Sequence, residues 1–162
     1  MKNIEIERKF LVVNDDYKQL AVSQYDIVQG YICKEAGRTV RVRIRTDKVP
    51  ASAESATHAY LTIKAKPAQE GIARFEWERE IDVADAKQLL QMCLPGLIEK
   101  TRRIVPCTDN NRLKWEIDEF HGRMAGLVMA EIELEQEDQA FVKPDFIGAE
   151  VTGDPRYYNA NM

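Results

Sequence analysis

Ile4-Glu5-Ile6-Glu7-Arg8-Lys9-Phe10 alternates without interruption. Successive side chains of a β-strand point to opposite faces, so Glu5, Glu7 and Lys9 form one row and Ile4, Ile6, Arg8 and Phe10 the other. Two carboxylates and an ammonium then share a surface, with same-face neighbours about 7 Å apart. They are close enough to share a divalent cation and a phosphate, and close enough to repel if nothing lies between them.

The same device recurs along the chain. Thr39–Thr46 reads TVRVRIRT, with Val40, Val42 and Ile44 on one side and Arg41, Arg43 and Arg45 on the other, and three arginines in one row call for an anion. Tyr60–Lys66 adds Lys64 to the basic inventory. In Arg74–Asp82, Arg74, Glu76, Glu78 and Glu80 oppose Phe75, Trp77 and Ile81. Ile98–Val105 sets Lys100 and Arg102 on one face, Leu113–Phe120 sets Lys114, Glu116 and Asp118 together, and Met129–Glu135 does the same for Glu131, Glu133 and Glu135. Ile27–Cys33 is a further strand whose two faces are both semi-apolar.

Between the strands, Asp15–Ala21 reads as a short helix. A longer helix runs from an Asp82 N-cap to about Leu94, where Pro95-Gly96 stops it. Asp47–Ala59 reads as a long mobile loop that contains His58, and Asp154-Pro155 should cap and start a short helix through Asn159. His121 sits in a Phe120-His121-Gly122 turn, Trp77 and Trp115 belong to apolar rows, and Tyr157 and Tyr158 read as terminal packing.

Composition sets the frame. The 162 residues suit one domain, 1–162, and 44% hydrophobic with 31% charged residues is ordinary for a globular protein. No apolar run is long enough to span a bilayer and the start lacks the apolar core of a signal peptide, so a cytoplasmic protein with no membrane role is expected. Cys33, Cys93 and Cys107 give neither a disulfide framework nor a zinc pattern. A formal charge of −4 argues against a nucleic-acid partner.

Eight strands with one long helix between the fifth and sixth predict an antiparallel sheet that closes into a barrel or folds as a sandwich. The default packing puts apolar rows in the core and charged rows in water. Charge segregation weighs against it, because solvated faces mix both signs with Ser, Thr and Gln, whereas here one row is all Arg and another all Glu. Turned inward, the rows would line a lumen with carboxylates for hard cations and Arg/Lys donors for a polyanion.

Taken in order, Glu5-x-Glu7-x-Lys9, Arg41-x-Arg43, Thr62-x-Lys64, Arg74 with Glu76 and Glu78, Glu99-Lys100-Thr101-Arg102, Glu116-x-Asp118 and Glu131-x-Glu133 resemble the pattern of the CYTH, or triphosphate tunnel metalloenzyme, superfamily. Glu150-Val151-Thr152 through Arg156-Tyr157 is similar to its ending, and the EIERKFLV start and RY-x-N ending look most like bacterial tripolyphosphatase-type members.

The resemblance implies an all-β-dominated protein, an eight-stranded antiparallel closed barrel with helices packed outside, binding a triphosphate with Mg²⁺ or Mn²⁺. It implies Glu5, Glu7, Asp118, Glu131 and Glu133 as metal ligands, and Lys9, Arg41, Arg43, Lys64, Arg74, Lys100 and Arg102 as phosphate-binding residues. Lys9, Glu78 and Lys100 take catalytic roles, with Glu76 and Glu116 as further acidic candidates. The reaction implied is in-line attack of water on a terminal phosphorus of tripolyphosphate, giving pyrophosphate and phosphate, with no side-chain nucleophile. Alternatives within the family are a class IV-type adenylyl cyclase that makes cyclic AMP from ATP, and a thiamine triphosphatase. A polyphosphate-binding module without catalysis is the non-enzymatic alternative. Outward apolar strand faces left uncovered by the helix would suit a homodimer contact.

Overall fold

A computed structural model describes residues 3–35, 37–48, 56–69 and 71–162. Nine strands and two α-helices follow in the order β1 (Ile4–Val12), α1 (Tyr17–Leu20), β2 (Ser23–Glu35), β3 (Arg38–Asp47), β4 (Thr57–Ala65), β5 (Ala73–Ile81), α2 (Val83–Gln91), β6 (Ile98–Pro106), β7 (Lys114–Phe120), β8 (Val128–Glu133) and β9 (Ile147–Glu150). The strands pair antiparallel in the order β5-β4-β3-β2-β6-β7-β8-β1, and β5 pairs back onto β1 through Ile4↔Phe75 and Ile6↔Ala73. The eight-stranded barrel therefore closes on itself, with β5 covering the edge of β1 as far as Ile6. The ninth strand, unforeseen in the sequence, pairs with β1 at Phe10↔Glu150 and Val12↔Ile147, beyond the point where β5 leaves it.

Charged rows face inward, and the packed core lies outside the lumen. On one side Phe10, Trp115, Ile117, Ala130 and Ile132 form a buried cluster with Tyr17 of α1 and Phe146. On another, Val42 and Ala59 pack with Ala86 of α2, joined by Ile44, Leu61 and Leu90. Gly30 permits the second arrangement, since a Cβ there would lie 2.5 Å from Leu97 Cδ2 and 2.9 Å from Cys93. Ile4, Ile63 and Phe75, on the outer faces of β1, β4 and β5, remain exposed.

Several local expectations change. The helix after Asp82 stops at Gln91 rather than near Leu94, and the Asp82 side chain makes no capping hydrogen bond. Strand pairing extends into the segment read as a loop, because Thr46 pairs with Thr57 and Arg45 with His58, which places His58 on β4 beside Glu80 (2.8 Å). The centre of that segment, 49–55, lies outside the described residues. Asp154 does cap Pro155–Tyr157, accepting from the Arg156 N–H, but the turn is 3₁₀ and a second one follows at Asn159–Asn161. No helix among the described residues is long and apolar enough to cross a membrane.

Candidate active site in the barrel lumen

The lumen is a cavity of about 1010 Å³. Around the eight-stranded ring, the wall formed by β1 and β8 lies across from β2 and β3. Glu5, Glu7, Glu131 and Glu133 project from the first wall and Arg41, Arg43 and Arg45 from the second, all lining the cavity with Lys9, Lys64, Arg74, Glu76, Glu78, Lys100, Arg102 and Glu116. Every site residue expected from the sequence except Asp118 thus reaches one chamber.

Strand register makes the acidic wall self-repelling. Glu7 pairs directly with Glu133, and Glu131 pairs with Lys9 on one side and with Glu116 on the other. Cβ atoms of such partners are about 4.5–5.5 Å apart, and like charges there are destabilising. Burial, the Glu131 charge and the Glu5 charge push the Glu7 carboxyl well above its ordinary range. Burial together with Glu5, Glu116 and Glu76 raises Glu133 to about 7. Glu5 differs: burial would raise it, but Lys64 (2.7 Å) and Arg74 (2.9 Å) hold it down at about 2. Glu131 is also held low against its burial, by Lys9 at 3.4 Å and Arg102 at 3.4 Å.

The donor set fits a hard divalent cation, being carboxylate oxygen throughout, and a cation there would relieve the repulsion that disfavours the ionised forms of Glu7 and Glu133. Among the described residues no three His, Cys, Asp or Glu side chains converge as a ready-made cage. A cation of the Mg²⁺ kind does not need one, since it is ordinarily bound by one or two carboxylates together with water and substrate phosphate oxygens.

The cations divide by how far they are already committed. Lys64 serves Glu5 and Glu76, Arg74 serves Glu5, and Arg102 serves Asp118, Glu116 and Glu131. Arg41 makes a 3.1 Å hydrogen bond to Thr62 Oγ1 and lies 3.5 Å from Glu78, while its buried Nε has no partner among the described residues. Arg43 donates its Nε to Gln29 Oε1 (2.8 Å) and, among the described residues, makes no ion pair. Burial, with Arg41 and Arg102 nearby, lowers Arg43 to about 10. An arginine that dense positive surroundings and desolvation disfavour is one that gains most from an arriving anion.

Asp118 is placed apart from the other expected ligands. It is 1% exposed, and its two oxygens accept from Lys100 Nζ (2.6 Å), Arg102 Nε (2.6 Å) and Arg102 Nη2 (2.8 Å). It lies behind the lumen surface and holds two lumen cations. Its carboxyl is lowered despite burial because Arg102 and Lys100 lie against it. Lys100, 2% exposed, falls to about 7 through burial, with Asp118 opposing and Arg102 and Arg43 adding to the fall.

Four residues to which the sequence reading gave no role in the site take part in it. Gln29, fully buried, orients Arg43; Thr62 donates to Glu78 (2.7 Å) and accepts from Arg41; Tyr157 offers its carbonyl to Lys9 Nζ (3.1 Å); and Asn159 Oδ1 accepts from Lys100 Nζ (3.1 Å). Gln29 left one trace, a large polar side chain on a strand otherwise semi-apolar on both faces. Tyr158, read as terminal packing, lines the lumen, with Lys9 Nζ 5.9 Å from its ring centre.

A closed antiparallel barrel whose lumen sets carboxylates against arginines is the class of protein that the fold and the site define. The CYTH domain family model matches residues 3–158, and the chain belongs to that family. It is 45% identical over 159 residues to the inorganic triphosphatase of Acetivibrio thermocellus, covering 98% of this chain and 92% of that one. It is 32% identical over 157 residues to the inorganic triphosphatase of Nitrosomonas europaea, covering 96% and 93%. A crystal structure of an inorganic triphosphatase superposes with a TM-score of 0.61 at 30% identity, over 97% of this chain and 92% of that one.

Proposed function

We propose that the protein is a triphosphatase dependent on Mg²⁺ or Mn²⁺, hydrolysing inorganic tripolyphosphate to pyrophosphate and phosphate. The observation that carries this reading is the pair Arg41 and Arg43, one with a buried N–H lacking any partner and the other with no ion pair among the described residues, across the barrel from the Glu7–Glu133 pair. Incompletely paired cations facing self-repelling carboxylates favour a ligand that brings both negative and positive charge, as a metal-chelated polyphosphate does. The inorganic triphosphatase names of the relatives point to the same substrate.

In this reading Arg41 and Arg43 grip phosphate oxygens with forked N–H donors, and Lys100 and Arg102, fixed by Asp118, present further positive charge without needing to reorganise. Lys9, tied to the Tyr157 carbonyl and close to Glu131, balances charge at the reacting phosphoryl group. Lys64 and Arg74 hold Glu5 and add to the positive field. Glu78 fixes Arg41 through Thr62 and offers an acceptor to an entering water. Glu5, Glu7, Glu131 and Glu133 would hold a hard divalent cation, which would neutralise phosphate charge and lower the pKa of the attacking water.

The deciding experiment offers tripolyphosphate, ATP, thiamine triphosphate and pyrophosphate with Mg²⁺ or Mn²⁺, measuring phosphate and cyclic AMP separately. Phosphate released fastest from tripolyphosphate supports the reading. Binding without turnover in either metal would make the protein a polyphosphate-binding module instead.

A further inference from the structure

The C-terminal turn reaches into the lumen from one end of the barrel. Its apolar side chains Tyr157, Ala160 and Met162 pack against Tyr31, Ile98, Phe120 and Met129, and the Tyr157 carbonyl accepts from Lys9 Nζ, so the segment has anchors other than the Asn159 side chain. Asn159 is then free to serve another purpose. Its Oδ1 accepts from Lys100 Nζ (3.1 Å) and from Gln29 Nε2 (3.3 Å), while Gln29 Oε1 accepts from Arg43 Nε (2.8 Å).

The orientation of both amides is fixed by chemistry. A guanidinium and an ammonium can only donate, so Gln29 must turn its carbonyl to Arg43 and Asn159 must turn its carbonyl to Lys100. That leaves the Gln29 NH₂ to donate to Asn159. One continuous path therefore runs from Arg43 on β3, through Gln29 on β2 and Asn159 on the C-terminal turn, to Lys100 on β6 and on to Asp118.

We propose that Asn159 is a positioning residue that sets Lys100 and, through Gln29, Arg43 for contact with the terminal phosphates of the substrate. The assignment rests on the triphosphatase reading. A lysine ammonium is a compact charge on a flexible stem with three donors. Asp118 takes one N–H of Lys100 and Asn159 takes a second, which fixes the direction of the third. Without Asn159 the ammonium swings freely about its bond to Asp118, and Gln29 loses the partner that holds its amide in place.

Calorimetry of tripolyphosphate binding without metal, beside steady-state hydrolysis with metal, tests this on Asn159→Ala, Gln29→Met and the double variant. Asn159→Ala should weaken binding about fivefold, the scale of one lost hydrogen bond. The double variant should be no worse than the weaker single, because both changes cut one path. Melting temperatures are read in parallel, and Asn159→Ala should melt close to the wild type, its turn being held by apolar contacts. Unchanged affinity in Asn159→Ala, additive losses, or a loss that merely follows a fall in melting temperature would overturn the assignment. A wild type that binds tripolyphosphate but does not hydrolyse it would sink the hydrolase reading while the binding comparison still decides the role of Asn159.

Discussion

Glu7 on β1 and Glu133 on β8 stand directly opposite each other in the barrel wall, a like-charge pair in a position where strands ordinarily place attraction or apolar contact. The cost of that pair is visible in titration. Glu133 is raised to about 7, so between its ordinary value of 4.5 and that point the folded chain binds more protons than the unfolded one. Stability from this group is therefore present at and below about pH 4.5 and is lost as pH rises to about 7.

Glu133→Gln should remove that slope. In chelator, wild type should lose melting temperature relative to the variant as pH rises through this window, and Mg²⁺ or Mn²⁺ should restore the wild type alone. Turnover should be lost in the variant. Full activity of Glu133→Gln at ordinary metal concentration would remove Glu133 from the ligand set.

Asp118 invites a different expectation, since its oxygens are occupied by Lys100 and Arg102. Asp118→Ala leaves the buried Lys100 without its counter-charge and removes one of the three carboxylates that Arg102 serves, and breaking a buried pair from one side costs about 3–5 kcal/mol. Chemical denaturation in chelator should find a loss of that order. A carboxylate serving only as a metal ligand would behave like Glu133, and its removal would leave the metal-free protein as stable as before or more so.

How much of this was legible in the sequence follows from the period of a strand. Alternation fixed which residues share a face, so the rows of Glu5, Glu7 and Lys9, of Arg41, Arg43 and Arg45, and of Glu131 and Glu133 all emerge on the lumen side. What alternation cannot give is pairing between strands. The opposition of Glu7 to Glu133, and the position of Asp118 behind the surface, depend on register across the barrel. β9 was missed because Ile147–Glu150 is too short to carry a period. It forms because β1 has an edge left free once β5 departs after Ile6. Asn159 was beyond reach for a similar reason, since its partner Lys100 lies 59 positions away and no local pattern joins them.

Arg43→Lys separates substrate grip from metal chemistry. Lysine keeps the charge but cannot make the Nε bond to Gln29 and a forked contact to phosphate together. Tripolyphosphate binding should weaken about tenfold, or roughly 1.4 kcal/mol, with metal affinity in the absence of substrate unchanged. Calorimetry with the two ligands in turn decides it. Equal loss of both would mean that the substitution disturbs the whole lumen and not the phosphate contact.

Specificity rests on what the mouth of the barrel can recognise. One aromatic and basic pair lining the lumen is already engaged, since the Arg45 guanidinium lies 4.1 Å over the Tyr25 ring and donates to Asp47 at 2.8 Å. A nucleoside would add bulk without gaining a stacking face or a free donor from that pair, whereas the phosphate chain would keep the contacts proposed for Arg41, Arg43 and Lys100. Tripolyphosphate should therefore exceed ATP in kcat/KM by at least about tenfold, or roughly 1.4 kcal/mol of transition-state stabilisation. ATP, where it reacts, should yield ADP and phosphate, because water and not the ribose oxygen is the proposed nucleophile. Cyclic AMP as the main product, with tripolyphosphate inert, would overturn the hydrolase reading and leave the barrel and its facing walls of charge to be explained by a nucleotide.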